Sequence, residues 1–191
     1  MDGEKEAFEE IVRGLGTGDP ALKEAVTREL QRLTVPRRTR EAVSEPGRDW
    51  YVIRVELTSG RADEFEPPPG RDILISPQHT FRQLAEAINS AFARWDLGHL
   101  YMFRLADGTA IGIALEELPH REAARTKIGK RHEGEVFEYE FDFGDGWQHR
   151  CAVLEAGVDP EDVYGVRPKG PVAVWGWGSI PDQYGRTTPD G

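Results

Sequence analysis

From Phe137 to Leu154 the chain reads FEYEFDFGDGWQHRCAVL, and up to its glycine turn it alternates without a break. Phe137, Tyr139, Phe141 and Phe143 fall on one face, and Glu138, Glu140 and Asp142 on the other. A period of two is that of a half-buried strand. After Gly144-Asp145-Gly146 the alternation resumes, with Trp147, His149, Cys151 and Val153 set against Gln148, Arg150, Ala152 and Leu154. The segment therefore predicts a β-hairpin. A three-residue loop, Gly144 to Gly146 with Gly146 left-handed, keeps the faces consistent and pairs Phe143 with Trp147, Phe141 with His149 and Glu140 with Arg150. Asp145 is expected to accept from the turn's own amides.

The hairpin is one part of a chain of 191 residues, a length that suits one domain with a sizeable core plus an appendage. The appendage is expected at residues 1–46. Ala7, Phe8, Ile11, Val12 and Leu15 recur at helical spacing, and Gly14, Gly16 and Gly18 interrupt them. Asp19-Pro20 then restarts a helix with the stripe Leu22, Ala25, Val26, Leu30 and Leu33. An antiparallel helical hairpin is predicted, either docked on its own domain or serving as a partner-binding arm, and followed by a linker from Pro36 to Pro46 whose Arg37, Arg38 and Arg40 are a solvated spacer.

Residues 47–191 form the main domain. Tyr51, Ile53, Val55 and Leu57 mark a first strand, and Pro67-Pro68-Pro69-Gly70 delays the next to about Asp72–Ile75 because proline lacks the amide donor. Thr80 with Gln83 matches a capping box, ahead of the stripe Phe81, Leu84, Ala85, Ile88, Phe92 and Trp95. Two strands at Leu100–Leu105 and Ala110–Ala114 flank Asp107-Gly108, and residues 116–134 carry a short helix at best. The fold class expected is α+β: a mainly antiparallel sheet with a helix packed on one face, preceded by the N-terminal helical hairpin.

A net charge of −10 opposes adsorption to polyphosphate, so nucleic acid is not expected as a partner. A single cysteine, Cys151, and an acidic start, MDGEKEAFEE, point to a reducing, cytoplasmic setting, and no apolar run approaches membrane-helix length.

Chemistry would have to come from Asp142, Asp145 and His149 around one turn, joined by Asp96 and His99 after the helix. Carboxylate and imidazole together bind divalent metals or act as an acid–base pair. The same residues equally serve as turn caps and a hydrogen-bonded core histidine. In the predicted register Asp142 leaves the face that His149 occupies, so no metal site is expected and no cofactor is implied. Cys151 sits two positions from His149, roughly 7 Å along a strand, and is expected to be a buried thiol. Arg125, Lys127, Lys130, Arg131 and His132 form a basic cluster that reads as a solvated face. The tail presents a different class of function. Trp175, Trp177, Tyr184 and Arg186 either seal the core or line a recognition groove for a peptide.

The run Tyr139-Glu140-Phe141-Asp142-Phe143-Gly144-Asp145-Gly146-Trp147-Gln148-His149, with Tyr51–Leu57, Ala91-Phe92, Trp95, His99-Leu100 and Phe103 before it, resembles the plasmid pRiA4b ORF-3-like domain family. The resemblance spans about residues 50–186, and that family includes proteins labelled as passengers of an insertion element. It implies an α+β fold and no established reaction. Phe65-Glu66 stands where the family usually has Trp-Arg, and the segment Pro171 to Arg186 replaces its usual acidic, proline-rich tail.

The reading that results is a cytoplasmic interaction module that binds a protein or peptide through its N-terminal helical hairpin and through Trp175, Trp177, Tyr184 and Arg186. One alternative is a small metal-dependent or hydrolytic enzyme centred on Asp142, Asp145 and His149, with His99. The other is a nucleic-acid accessory protein of mobile elements.

Overall fold

The computed structural model describes residues 47–113 and 121–186. The chain divides into two compact units, 1–43 and 44–191, and the described residues all belong to the second. The predicted helical hairpin lies outside the described residues.

Among the described residues nine strands make up a single sheet: β1 (Trp50–Gly60), β2 (Asp63–Glu64), β3 (Gly70–Ile75), β4 (Tyr101–Leu105), β5 (Ala110–Gly112), β6 (Arg121–Glu122), β7 (Val136–Phe141), β8 (Trp147–Val158) and β9 (Val172–Trp177). Their order is β6-β5-β4-β7-β8-β1-β3-β9, with β2 attached to β1. All pairs are antiparallel except β5–β6, so the sheet is mixed. Only two short helices accompany it among the described residues, α1 (Phe81–Ala91) and α2 (Pro160–Tyr164). The expected α+β architecture with a leading hairpin is thereby corrected to one large mixed sheet with little helix. The reason lies in two segments: Val172–Trp177, read as a tail that seals the core or lines a groove, is β-branched and aromatic enough to form an edge strand, and Arg121-Glu122, inside a stretch read as helical at best, pairs with β5.

Helix α1 begins as its sequence requires. The Thr80 hydroxyl accepts from the Gln83 amide at 3.3 Å and the Gln83 side chain accepts from the Thr80 amide at 2.8 Å. It ends earlier than its stripe predicts, at a cap on Phe92, because Ala93 turns left-handed with φ +52°. Its apolar face, Phe81, Leu84, Ala85 and Ile88, is buried with Ile53, Val55, Leu57, Ile73, Phe103, Tyr139, Phe141, Trp147 and Cys151 on one side of the sheet. On the other side a smaller cluster of Trp50, Val52, Leu74 and Val158 is joined by Val172 and Val174 of β9.

The β7–β8 hairpin pairs Phe141 with Trp147 and Tyr139 with His149, so the loop is the five residues 142–146. The predicted three-residue register is therefore two places out, although the faces are as expected and Gly146 is left-handed at φ +62°. The ladder stops at Phe141 because Asp142 itself adopts φ +56° and folds its carboxylate over the turn, where Oδ1 accepts from Gly144 N at 3.0 Å and Asp145 N at 3.4 Å. Asp142, not Asp145, caps the turn.

Candidate functional site

Three segments meet at the end of α1: the loop 92–100, the turn 142–146 and a strap, residues 180–186. The strap is fastened chiefly by polar contacts. Gln183 is fully buried; its Oε1 accepts from the amides of Trp95 and Asp96 at 2.9 and 3.0 Å, and its Nε2 donates to the Asp96 carbonyl at 2.9 Å. An amide side chain that donates and accepts here replaces the backbone pairing that an irregular loop cannot supply.

A chain of polar side chains joins the three segments. Asp142 Oδ2 lies 3.2 Å from His99 Nδ1, His99 Nε2 lies 3.0 Å from the Tyr184 hydroxyl, and that hydroxyl donates to Asp96 Oδ2 at 2.7 Å. Both imidazole nitrogens are thus occupied. The His99 ring also stands edge-on to Phe141 at 5.9 Å. The Tyr184 hydrogen bond, then the Gly98 amide, holds the Asp96 carboxyl below its ordinary range. Reciprocally, Asp96, with weaker repulsion from Asp142 and Asp145, pushes the Tyr184 phenol up to about 12. Trp95 packs edge-on against Tyr184 at 5.0 Å and carries the Arg186 guanidinium 4.2 Å above its ring. Arg186 is in turn paired with Asp182 at 3.0 Å.

Of the residues singled out in the sequence, Asp142, His99, Tyr184 and Arg186 are brought together, with Asp96 between them. Asp145 stands beside them and contributes a backbone carbonyl that accepts from the Arg61 amide at 2.6 Å. His149 is elsewhere. It is 2 % exposed, edge-on to Phe92, with Nδ1 3.3 Å from the Tyr139 carbonyl. Burial, aided by the charge of Arg94, lowers its pKa to about 3, so it is a neutral core residue. Among the described residues no contact joins His149 to Asp142, Asp145 or His99. Cys151 is fully buried and its thiol is pushed far up by burial, which leaves it inert. Among the described residues, no three His, Cys, Asp or Glu side chains converge to hold a metal ion.

Trp175 and Trp177 belong to β9, apart from Tyr184 and Arg186. The Trp177 indole donates to the Pro68 carbonyl at 3.0 Å, covers Gly70, and lies 4.9 Å from the Arg54 guanidinium, which is itself paired with Asp72 at 2.9 Å. Trp175 is 54 % exposed.

Sequence reasoning missed three contributors. Trp95 looked like the last core position of α1; only the early cap turns it outward. Gln183 carried no signal, because a buried amide is recognised by its partners alone. Arg94, 4 % exposed, stacks 3.7 Å from the Trp147 ring and donates to the Pro181 carbonyl at 3.2 Å beneath the strap. Burial lowers its pKa to about 10.

Among the described residues no helix is long and apolar enough to cross a membrane. The chain is similar to the uncharacterized protein y4hQ of Sinorhizobium fredii (strain NBRC 101917 / NGR234), 29 % identical over 107 residues, which are 53 % of this chain and 53 % of that protein. The chain thus spans about half the length of this relative. In fold it is similar to the crystal structure of a protein of unknown function, MM3350 from Methanosarcina mazei Go1, with a TM-score of 0.54 at 21 % identity over 67 % of this chain and 69 % of that one. The sequence model described as "Plasmid pRiA4b ORF-3-like protein" matches residues 49–180, most of the domain just described, and the chain belongs to that family.

Proposed function

We propose that the domain is a cytoplasmic protein-binding module whose recognition surface is the ridge formed by the loop 92–100, the turn 142–146 and the strap. One observation carries this reading: in the polar chain Asp142–His99–Tyr184–Asp96 each ring nitrogen and the phenol is already engaged within the domain. Such a network fixes three segments relative to one another and leaves neither imidazole nitrogen open to a substrate. Around it stand Trp95, Leu97 and Phe143, at 51, 58 and 40 % exposure. Large apolar side chains held out on a rigid polar base fit the anchors of an interface, where aromatics and arginine dominate the energetics.

The Asp142–His99 contact favours one other reading. A carboxylate that orients an imidazole is half of an acid–base dyad, and release of Tyr184 would free Nε2 to act. The nucleic-acid reading gains nothing, since the charge of −10 opposes it.

The experiment is affinity capture from cells with the wild-type chain and with a Trp95→Ala/Leu97→Ala double variant, both positions being exposed. A partner retained by the wild type and lost by the variant is the expected result. Equal recovery from both sinks the reading. Turnover of ester or phosphoester substrates that is abolished by His99→Ala would put the enzyme first.

A further inference from the structure

Strand β9 closes one end of the sheet, and among the described residues β3 is its sole strand partner. Natural edge strands are usually blunted by proline, lysine or inward-pointing charge. The sequence of β9, VAVWGW, has none of these, and it leaves a row of backbone donors and acceptors along its outer side.

Beside that edge lies a trough of about 510 Å³ between β9 and α1, lined by Gln83, Glu86, Ala87, Ser90 and Ala91 of the helix and by residues 170–173. Ala173 also borders the hollow formed by Arg71 and residues 174–178. At the far end Arg71 lies across Gly176, where a Cβ would meet its Cδ at 2.5 Å. Its Nη1 donates to the carbonyls of Gly70 and Trp177 at 2.6 and 2.8 Å and the guanidinium stands 5.7 Å from the Phe92 ring, while Nε and Nη2 have no hydrogen-bond partner among the described residues. No carboxylate among those residues lies within ion-pair distance of Arg71. On the opposite face of β9, Trp175 is exposed.

We propose that β9 is a docking edge for an extended peptide, which adds to the sheet as a further strand and places a carboxylate on Arg71. The two sides of the incoming strand meet different surfaces. Alternate side chains enter the trough against Ala87, Ser90 and Ala173, or cover the indole of Trp175. Backbone hydrogen bonds supply affinity independent of sequence, and the Nε and Nη2 of Arg71, which lack a carboxylate partner among the described residues, supply selection through a charge-assisted, bidentate contact. This site is separate from the ridge at Trp95, so either can fail without the other.

The probes are hexapeptides of alternating valine and threonine with glutamate at the first position, for antiparallel addition, or at the last, for parallel addition. Each is compared with its glutamine counterpart by backbone amide chemical-shift mapping on the full chain. One glutamate peptide is expected to shift the amides of residues 172–177, with the glutamine peptide about tenfold weaker. Arg71→Gln should remove that difference while leaving residual binding, and Ala173→Lys, at an exposed position, should abolish binding of both. The proposal is overturned if no peptide moves the β9 amides at millimolar concentration. It is equally overturned if the edge is consumed by a concentration-dependent dimer that Ala173→Lys dissolves, since a second copy would then be the occupant.

Discussion

Asp142 performs two tasks with one carboxylate: Oδ1 caps the turn amides and Oδ2 faces His99. Asp142→Ala is therefore expected to lower unfolding free energy by about 1 to 2 kcal/mol, through the lost cap and through the strain of φ +56° on alanine. Asp142→Asn, which tolerates that backbone and keeps an acceptor, should cost less, and Asp145→Ala should stay within about 0.5 kcal/mol. Urea titrations of the three variants check the order. His149 sets a pH dependence. Its folded-state pKa, about 3, lies below the ordinary 6.5, so the unfolded chain binds the extra proton and stability is full above pH 6.5 and falls as pH drops toward 3. The slope contributed approaches about 1.4 kcal/mol per pH unit within that window. His149→Phe should flatten the stability–pH curve there by that amount; an unchanged curve would show that the ring is solvated. The alternation of the hairpin put His149 on the buried face, and that much was legible. Which oxygen caps the turn was not, because GDG and DFGD both offer an acceptor, and only the left-handed Asp142 decides between them.

At the scale of elements, the junction of β3 and β9 rests on close approach. The Trp177 ring covers Gly70, where any Cβ would collide with it. Gly70→Ala should thus push β9 off the sheet and lower stability by about 2 kcal/mol, with the largest rise in amide exchange at residues 172–177. Truncation after Gly170 should lower the melting temperature for the same reason, since it uncovers Leu74 and removes Val172 and Val174 from the smaller cluster. The strap responds to a different change. Gln183→Ala leaves the Trp95 and Asp96 amides without their acceptor, and those two amides are expected to lose protection against exchange ahead of any in the sheet. The capping box of α1 and the alternation of β1, β7 and β8 were readable, because each is written in contiguous residues. The strap was not, because its partners lie 87 or 88 positions away and a buried glutamine has no period.

Across the whole molecule, local patterns specified strands far better than their neighbours. The tail from Val172 to Trp177 has the composition of a strand, yet its place beside β3 follows from glycine at position 70 and the bulge near Asp72, features that no period announces. The meeting of Asp142 with His99 and Tyr184 likewise depends on sheet order, which puts β4, β7 and β8 side by side and lets the strap cross their ends. That same order carries a consequence for how the polypeptide is made. β1 and β3 leave the ribosome early and can pair at once, but the other flank of β1 is reserved for β8, which begins at Trp147. Until translation has passed Val158, a strand rich in valine, isoleucine and leucine stands open to any neighbouring nascent chain, so overproduction should favour inclusion bodies most when synthesis slows between Ile75 and Trp147.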